Sequence, residues 1–371
     1  MSEISYLVKK FGDFQVEWKT LGEALQRTKG TKITAGRMKE LHKDNAPIKI
    51  FAGGKTVAFV DVDDIPEKDI NKKPSIIVKS RGVIEFEYYD DPFSHKNEMW
   101  SYHSINKDIN VKFIYYYLKM NESYFQNLGS RMQMPQISIP DTDKFQLPIP
   151  PLHVQAEIVR ILDKFTELTT ELTTELTARQ KQYAYYRDKL LTFKEGEVEW
   201  KTLGDLCSVS VGQPPVIDKQ GDYPFVNAGT TPSGYLSTYN TEPGVVTTPS
   251  RGQGGIGYVG YQKSRFWCGP LCYKIRSTSE AITTHFLFYV MSNSMKNIIE
   301  LANMTGVPAL NKKELVGLLV PIPPLTEQAR IVSILDKFDT LVNSISEGLP
   351  REIKLCRQQY AYYRNLLLNF P

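Results

Sequence analysis

The chain repeats itself, and this constrains its architecture more than any other feature. Val16-Glu17-Trp18-Lys19-Thr20-Leu21-Gly22-Glu23 returns as Val198-Glu199-Trp200-Lys201-Thr202-Leu203-Gly204-Asp205, seven identities in eight. Ile149-Pro150-Pro151-Leu152 returns as Ile322-Pro323-Pro324-Leu325, and Ile161-Leu162-Asp163-Lys164-Phe165 as Ile334-Leu335-Asp336-Lys337-Phe338. Gln182-Tyr183-Ala184-Tyr185-Tyr186-Arg187 returns as Gln359-Tyr360-Ala361-Tyr362-Tyr363-Arg364. The offsets are 182, 173, 173 and 177, so the copies differ by short insertions. Four ordered matches mark a duplication. Between them the likeness thins to scattered points: Pro47 with Pro224, Ala52-Gly53 with Ala228-Gly229, Arg81-Gly82 with Arg251-Gly252. A shared scaffold with divergent contents implies that each domain handles something different.

A chain of 371 residues exceeds one ordinary hydrophobic core. The repeat gives the order domain, helix, domain, helix. The expected boundaries are 1–150 and 196–321 for the domains, 151–195 and 322–371 for the helical segments. Short strand-like runs broken by Gly and Pro predict mixed α/β domains, each a small sheet beside helices. If the halves relate by a twofold axis, the two helices run antiparallel. The N-terminal region then meets the end of the last helix.

In the first helical segment Ile158, Ile161/Leu162, Phe165, Leu168, Leu172 and Leu176 mostly alternate steps of three and four, one apolar stripe. From Leu152 to Phe193 such a helix would span ~63 Å at ~1.5 Å per residue. It cannot bury its stripe in its own small domain and needs the other helix or a partner. The second copy carries Gly348 and Pro350, which break or kink it, and Pro350 can start a fresh turn. Residues 167–178 repeat the tetrapeptide Glu-Leu-Thr-Thr three times, the last ending in Ala178. This is either a slippage tract lying on a helix or a ruler in which each unit adds ~6 Å and about 40° of rotation.

Charge does little to decide the function. Residues 1–150 hold 22 basic and 20 acidic side chains, residues 196–321 hold 10 and 9, and the whole chain carries +4. A chain gripping DNA alone usually shows more basic excess, so clustering on one face or help from partners is expected. The four cysteines, Cys207, Cys268, Cys272 and Cys356, lack zinc spacing and fall in one half only, which points to a reducing compartment. The opening residues lack an apolar signal core and no long apolar run follows, so a soluble, cytoplasmic protein is expected without a membrane.

No catalytic motif survives inspection. Gly53-Gly54-Lys55-Thr56 lacks the earlier glycine of a phosphate loop, since Lys49 stands there, and a strand follows where a helix is required. Gly252-Gln253-Gly254-Gly255-Ile256-Gly257 fits a dinucleotide fingerprint literally, but Tyr258-Val259-Gly260-Tyr261 follows it instead of an amphipathic helix. Gln213-Pro214-Pro215-Val216 lacks the terminal aromatic that stacks a flipped base. Asp61-Val62-Asp63-Asp64 and Asp141-Thr142-Asp143 read as loop and capping residues, and no metal site is expected.

With these features in hand the chain resembles the specificity subunit of type I restriction–modification systems, over nearly its whole length. The most specific marks are the Pro-Ile-Pro-Pro-Leu entrances at 148–152 and 321–325 and the helix starts at 157–165 and 330–338. The Gln-Tyr-Ala-Tyr-Tyr-Arg tails and Glu-Trp-Lys-Thr-Leu-Gly entrances add to them, and the tetrapeptide tract looks like the spacer repeats of one subclass. The resemblance implies that each target-recognition domain reads one half of a split double-stranded DNA target while the helices set the spacer. It also implies two methyltransferase subunits docked on the helical region and two motor-nuclease subunits. S-adenosylmethionine, ATP and magnesium would belong to those partners, leaving this chain non-catalytic and without a cofactor. The alternative is an interaction scaffold that binds no DNA.

Base edges are read chiefly by Arg, Lys, Asn and Gln, whereas phosphate contacts only position. The DNA-binding candidates are Lys29, Lys32, Arg37, Lys55, Arg81, Arg131 and Gln133 in the first domain. In the second they are Gln213, Lys219, Arg251, Gln253, Lys263 and Arg265. Arg81 and Arg251 stand out because the duplication retained both before a glycine. Tyr88-Tyr89 and Tyr115-Tyr116-Tyr117 are expected to be sheet and helix core, not stacking platforms.

Overall fold

The computed structural model describes residues 14–129, 134–194, 196–215, 220–344 and 346–370. The chain divides into two compact units, residues 1–171 with 353–371, and residues 172–352. The first holds strands β1 (Glu17–Thr20), β2 (Gln26–Thr28), β3 (Ile48–Phe51), β4 (Val57–Val60), β5 (Ser75–Lys79), β6 (Glu85–Tyr89), β7 (Phe93–His95), β8 (Trp100–His103) and β9 (Gln146–Ile149). The second holds β10 (Glu199–Thr202), β11 (Cys207–Val211), β12 (Gln220–Val226), β13 (Tyr235–Leu236), β14 (Val245–Pro249), β15 (Gly260–Gln262), β16 (Trp267–Cys268), β17 (Cys272–Ser277) and β18 (Leu319–Ile322). The main helices are α1 (Ala35–Leu41), α2 (Val111–Met120), α3 (Glu122–Gly129), α4 (Leu152–Leu191), α5 (Thr284–Asn293), α6 (Met295–Glu300), α7 (Leu325–Asn343) and α8 (Gly348–Leu368).

The sheets show that the duplication extends well past its sequence signal. The first unit pairs its strands β2-β8-β5-β6 and β4-β3-β7, and the second β11-β17-β14-β15 and β13-β12-β16. Each strand has its counterpart nine strands later. Even the parallel strand pairing recurs, β3 with β7 and β12 with β16. The central strand β5 is buried along all five residues. Its period of two sends Ile76 and Val78 into the core beneath α2 and α3, and Ile77 toward Phe51, Phe93 and Met99 on the other side.

Each domain begins and ends in one two-stranded ribbon, which accounts for the best-matched sequence marks. β1 pairs antiparallel with β9, Glu17 opposite Ile149, and β10 with β18 in the same register, Glu199 opposite Ile322. Pro148 and Pro321 are tolerated because both strands of a ribbon are edges. Thr20 then caps a one-turn helix in a reciprocal box with Glu23, and Thr202 accepts from the Asp205 backbone N–H.

The long helix forms as an unbroken α4 of 40 residues, about 60 Å. Val154, Ile158 and Leu162 are fully buried in the first unit's core, one residue per turn. Further along the stripe loses cover, and Leu168 is 43% exposed. Within the first unit Phe165 stacks on Tyr363 at 5.4 Å and Thr169 Oγ1 lies 3.2 Å from Cys356 Sγ. One number rises as the other falls, so α4 and α8 run antiparallel there. In the second unit Tyr183 and Tyr186 stack on Phe338 of α7. The second helical segment is interrupted as expected. Gly348 starts α8 with φ 74°, and a Cβ on it would come within 2.4 Å of the Thr340 carbonyl oxygen. Leu367 and Leu368 enter the first unit's core, against which Phe14 also packs. Phe14 and the end of α8 thus share one core.

Two polar devices, each present twice, fix how a domain sits on its helix. Gln155, fully buried in the first turn of α4, accepts from the Asn110 N–H at 2.9 Å and donates to the carbonyls of Asp108 and Pro150. Gln328 does the same in α7, accepting from the Thr283 N–H and donating to Ala281 and Pro323. Asn110 and Thr283 are the N-caps of α2 and α5, so the glutamine occupies a backbone donor that a helix start leaves unpaired. Two turns on, Asp163 accepts from Tyr116 Oη at 2.5 Å and Lys112 Nζ at 2.8 Å. Its counterpart Asp336 accepts from Tyr289 Oη at 2.6 Å, with His285 Nε2 3.0 Å away but off the line of a hydrogen bond. Burial and the carboxylate together push both phenols well above their usual pKa.

Candidate nucleic-acid interface

Strand registers place several connections of the first domain on one rim. β3 and β7 run parallel and end together, Phe51 opposite His95. β5 ends opposite the start of β8, Val78 facing Trp100, and Thr28 at the end of β2 faces Ser101. The chain therefore turns at this rim at 29–32, 52–56, 80–82 and 96–99. Backbone bonds knit the turns together. The Thr31 N–H donates to the His95 carbonyl, Lys96 N–H to Phe51, and the Ser80 hydroxyl to Glu98. Lys29, Lys32, Lys55 and Arg81 all project from these turns and are exposed. Lys96 joins them, ion-paired to Glu98 at 2.5 Å. Partial burial opposes it, but the Lys96 hydrogen bond and the Lys96 and Arg81 charges hold the Glu98 carboxyl below its usual range.

The second domain builds the same rim from different residues. β11 ends opposite the start of β17, Val211 facing Tyr273, and β14 ends with Pro249 facing Cys272. The Gln213 N–H donates to the Cys268 carbonyl, as Thr31 does to His95. Gly30 and Gly212 precede these donors, and a Cβ would strike the His95 carbonyl at 2.2 Å or the Cys268 carbonyl at 2.1 Å. Asn227 Oδ1 accepts from the Leu271 N–H, drawing the loop after β12 onto the rim. All four cysteines are buried, two of them beneath it.

At the centre of each rim the same short ladder appears. Ser80-Arg81-Gly82 follows β5, and Ser250-Arg251-Gly252 follows β14. Arg81 bridges Gln136, and Arg251 bridges Ala309. The Gly82 N–H donates to the Pro135 carbonyl and Gly252 to Pro308, while Ile137 donates to Ser80 and Leu310 to Ser250. Both glycines have positive φ, 75° and 127°, which a side chain would strain. The scattered identities in the divergent stretches are therefore largely rim positions.

Of the remaining candidates, Gln253 stands exposed beside Arg251, and Gln213 is exposed at the end of β11. Arg131, Gln133 and Lys219 lie outside the described residues. Arg37 lies on α1, not in these turns, and is paired to Glu40 at 3.1 Å. Lys263 and Arg265 follow β15, whose Gln262 faces Val245 at the start of β14, so they stand at the opposite end of the sheet from Arg251. Arg265 is held by Glu242 at 3.1 Å and lies over the Tyr239 ring. Sequence reasoning missed Lys96, whose signal is position alone, and the glutamine clamps. The latter were legible in Gln155-Ala156 and Gln328-Ala329 just upstream of the matched helix starts.

Gly53-Gly54-Lys55-Thr56 is the turn between β3 and β4, and Gly252 to Gly257 leads to strand β15. Asp61 and Asp64 form a capping box, as Asp141 does with Ser138, whereas Asp143 instead accepts from Tyr102 and Arg27. Tyr88 and Tyr89 lie in β6, and Tyr115, Tyr116 and Tyr117 in α2 pack on or within the core. Among the described residues no group of three His, Cys, Asp or Glu side chains could hold a metal ion. No helix among them is long and apolar enough to cross a membrane.

Two antiparallel-ribbon domains carried on long helices are an arrangement with known relatives. The type I restriction modification DNA specificity domain matches residues 15–181 and again 195–355. The chain belongs to that family of specificity subunits, whose role is recognition of the DNA target. It is 35% identical to the EcoR124I/EcoR124II type I restriction enzyme specificity subunit of Escherichia coli, covering 100% of this chain and 98% of that one. It is 30% identical to a putative type I specificity subunit of Haemophilus influenzae, covering 99% and 98%. The fold matches the crystal structure of the S subunit from M. genitalium with a TM-score of 0.75 at 18% identity, over 97% of both chains.

Proposed function

We propose that each rim grips one half of a split double-stranded DNA target, that the helices set the gap between the halves, and that the chain performs no chemistry itself. Methylation and cleavage then belong to partner subunits, two methyltransferases and two motor-nucleases, which hold S-adenosylmethionine, ATP and magnesium. The observation that carries this reading is the recurrence of one exposed rim, with its arginine and the turn residues that frame it, on two domains whose remaining rim side chains differ. Identical framing with different contents is what reading two unlike half-targets demands. The near-balanced charge fits a chain that shares phosphate neutralisation with partners.

The test is a gel-shift titration of the chain assembled with its methyltransferase subunits, over graded salt, against random-sequence competitor. Sequence-selective binding that weakens as salt rises is expected. Binding without preference among sequences would favour the scaffold alternative.

A further inference from the structure

The two retained arginines stand apart from the other candidates in a way that separates their role. Arg81 and Arg251 occupy equivalent positions, each fixed by the same pair of backbone bonds and followed by a glycine of positive φ. Both are exposed, and among the described residues neither forms an ion pair, unlike Arg37 and Arg265. Past the glycine the two domains part, with Val83 in the first and Gln253 in the second. A residue held identically in two heads with unlike targets cannot be the one that tells those targets apart. It fits what the two half-targets have in common, and every DNA segment shares its phosphate backbone.

Resting on the reading of the rims as DNA grips, we infer that Arg81 and Arg251 are matched phosphate clamps that set each head on the duplex, and that base discrimination belongs to divergent neighbours such as Gln253. The guanidinium suits the task, since it offers a planar fork of donors to a phosphate and keeps its charge at any working pH. Gln253, which can donate and accept at once, has the chemistry of a base-edge reader.

The experiment measures DNA affinity of the assembled methyltransferase complex across a salt series, on the cognate duplex and on duplexes with single base-pair changes in the second half-target. Arg251→Ala should weaken binding roughly tenfold on every duplex alike. It should also lower the slope of log affinity against log salt by about 1. Arg251→Lys should keep the slope. Arg81→Ala should match Arg251→Ala, and the double variant should lose about 2 from the slope. Gln253→Ala should leave the slope unchanged and relax preference at one base pair. If Arg251→Ala relaxes discrimination at a single base pair with an unchanged slope, the arginine reads a base and the inference is overturned. Unaltered binding by Arg251→Ala and Arg81→Ala overturns it as well. Loss of the underlying reading looks different, because the wild-type complex would then show no preference among the duplexes.

Discussion

Replacing Gln328 with leucine is expected to destabilise the second unit by about 3–5 kcal/mol, although the substitution nearly conserves volume. The side chain is fully buried and makes three hydrogen bonds: one received from the Thr283 N–H, and one given to each of the Ala281 and Pro323 carbonyls. Leucine fills the space but leaves one donor and two acceptors without partners in a site closed to water, at about 1–3 kcal/mol for each such group. Thr283 caps α5, so the loss also loosens the start of that helix. Urea unfolding of the full chain, followed by hydrogen exchange resolved to residues 281–340, should show a lower midpoint and faster exchange there. Glu327, half-buried and paired to Arg330 on the same turn, supplies the control, since Glu327→Leu leaves no closed-off backbone group unpaired and should shift the midpoint little. Equal midpoints for the two variants would remove the clamp from the account.

Deleting one tetrapeptide, residues 171–174, is expected to change which DNA sites are methylated in the cell. Four residues shorten α4 by ~6 Å and remove about 40° beyond a full turn. The tract lies where α4 is largely exposed, so no buried cluster must be repacked. With ~3.4 Å per base pair along each strand, the gap between half-targets should shrink by roughly one or two base pairs. The half-targets themselves should keep their bases, because no rim residue is touched. Mapping methylated bases in cells carrying the deletion reads both quantities at once. An unchanged gap would reduce the tract to a slippage relic lying on a helix.

Much of the fold was legible because duplication reports itself. The matched ends of each domain are its ribbon, its capped turn and its helix start, all places where local chemistry dictates residue type. The Gly348 interruption was equally plain, since only a residue lacking Cβ allows that turn. The seven inner strands of each domain were not legible as counterparts. Their inward residues need only fill the space with any polar group paired, so Ile77 and Thr247, whose hydroxyl accepts from Gln262, serve equivalent central strands without resembling each other. The site was legible in part. Arg81 and Arg251 showed through because a backbone turn constrained the neighbouring glycine. Lys263 and Arg265 were candidates in sequence too, and only the register of β14 with β15 places them at the far end of the sheet. Lys96 could not be singled out, because its position depends on a parallel pairing between strands distant in sequence.

The matching registers of β1 with β9 and of β10 with β18 permit the most direct test. A chain whose second domain is replaced by another copy of the first, joined through these ribbons, should fold and assemble with its partners. Methylated bases mapped genome-wide should then fall in a split target whose two halves carry the same bases, with the original half-target of the second domain gone. Persistence of the original pair of unlike halves would contradict the claim that each domain reads its own half.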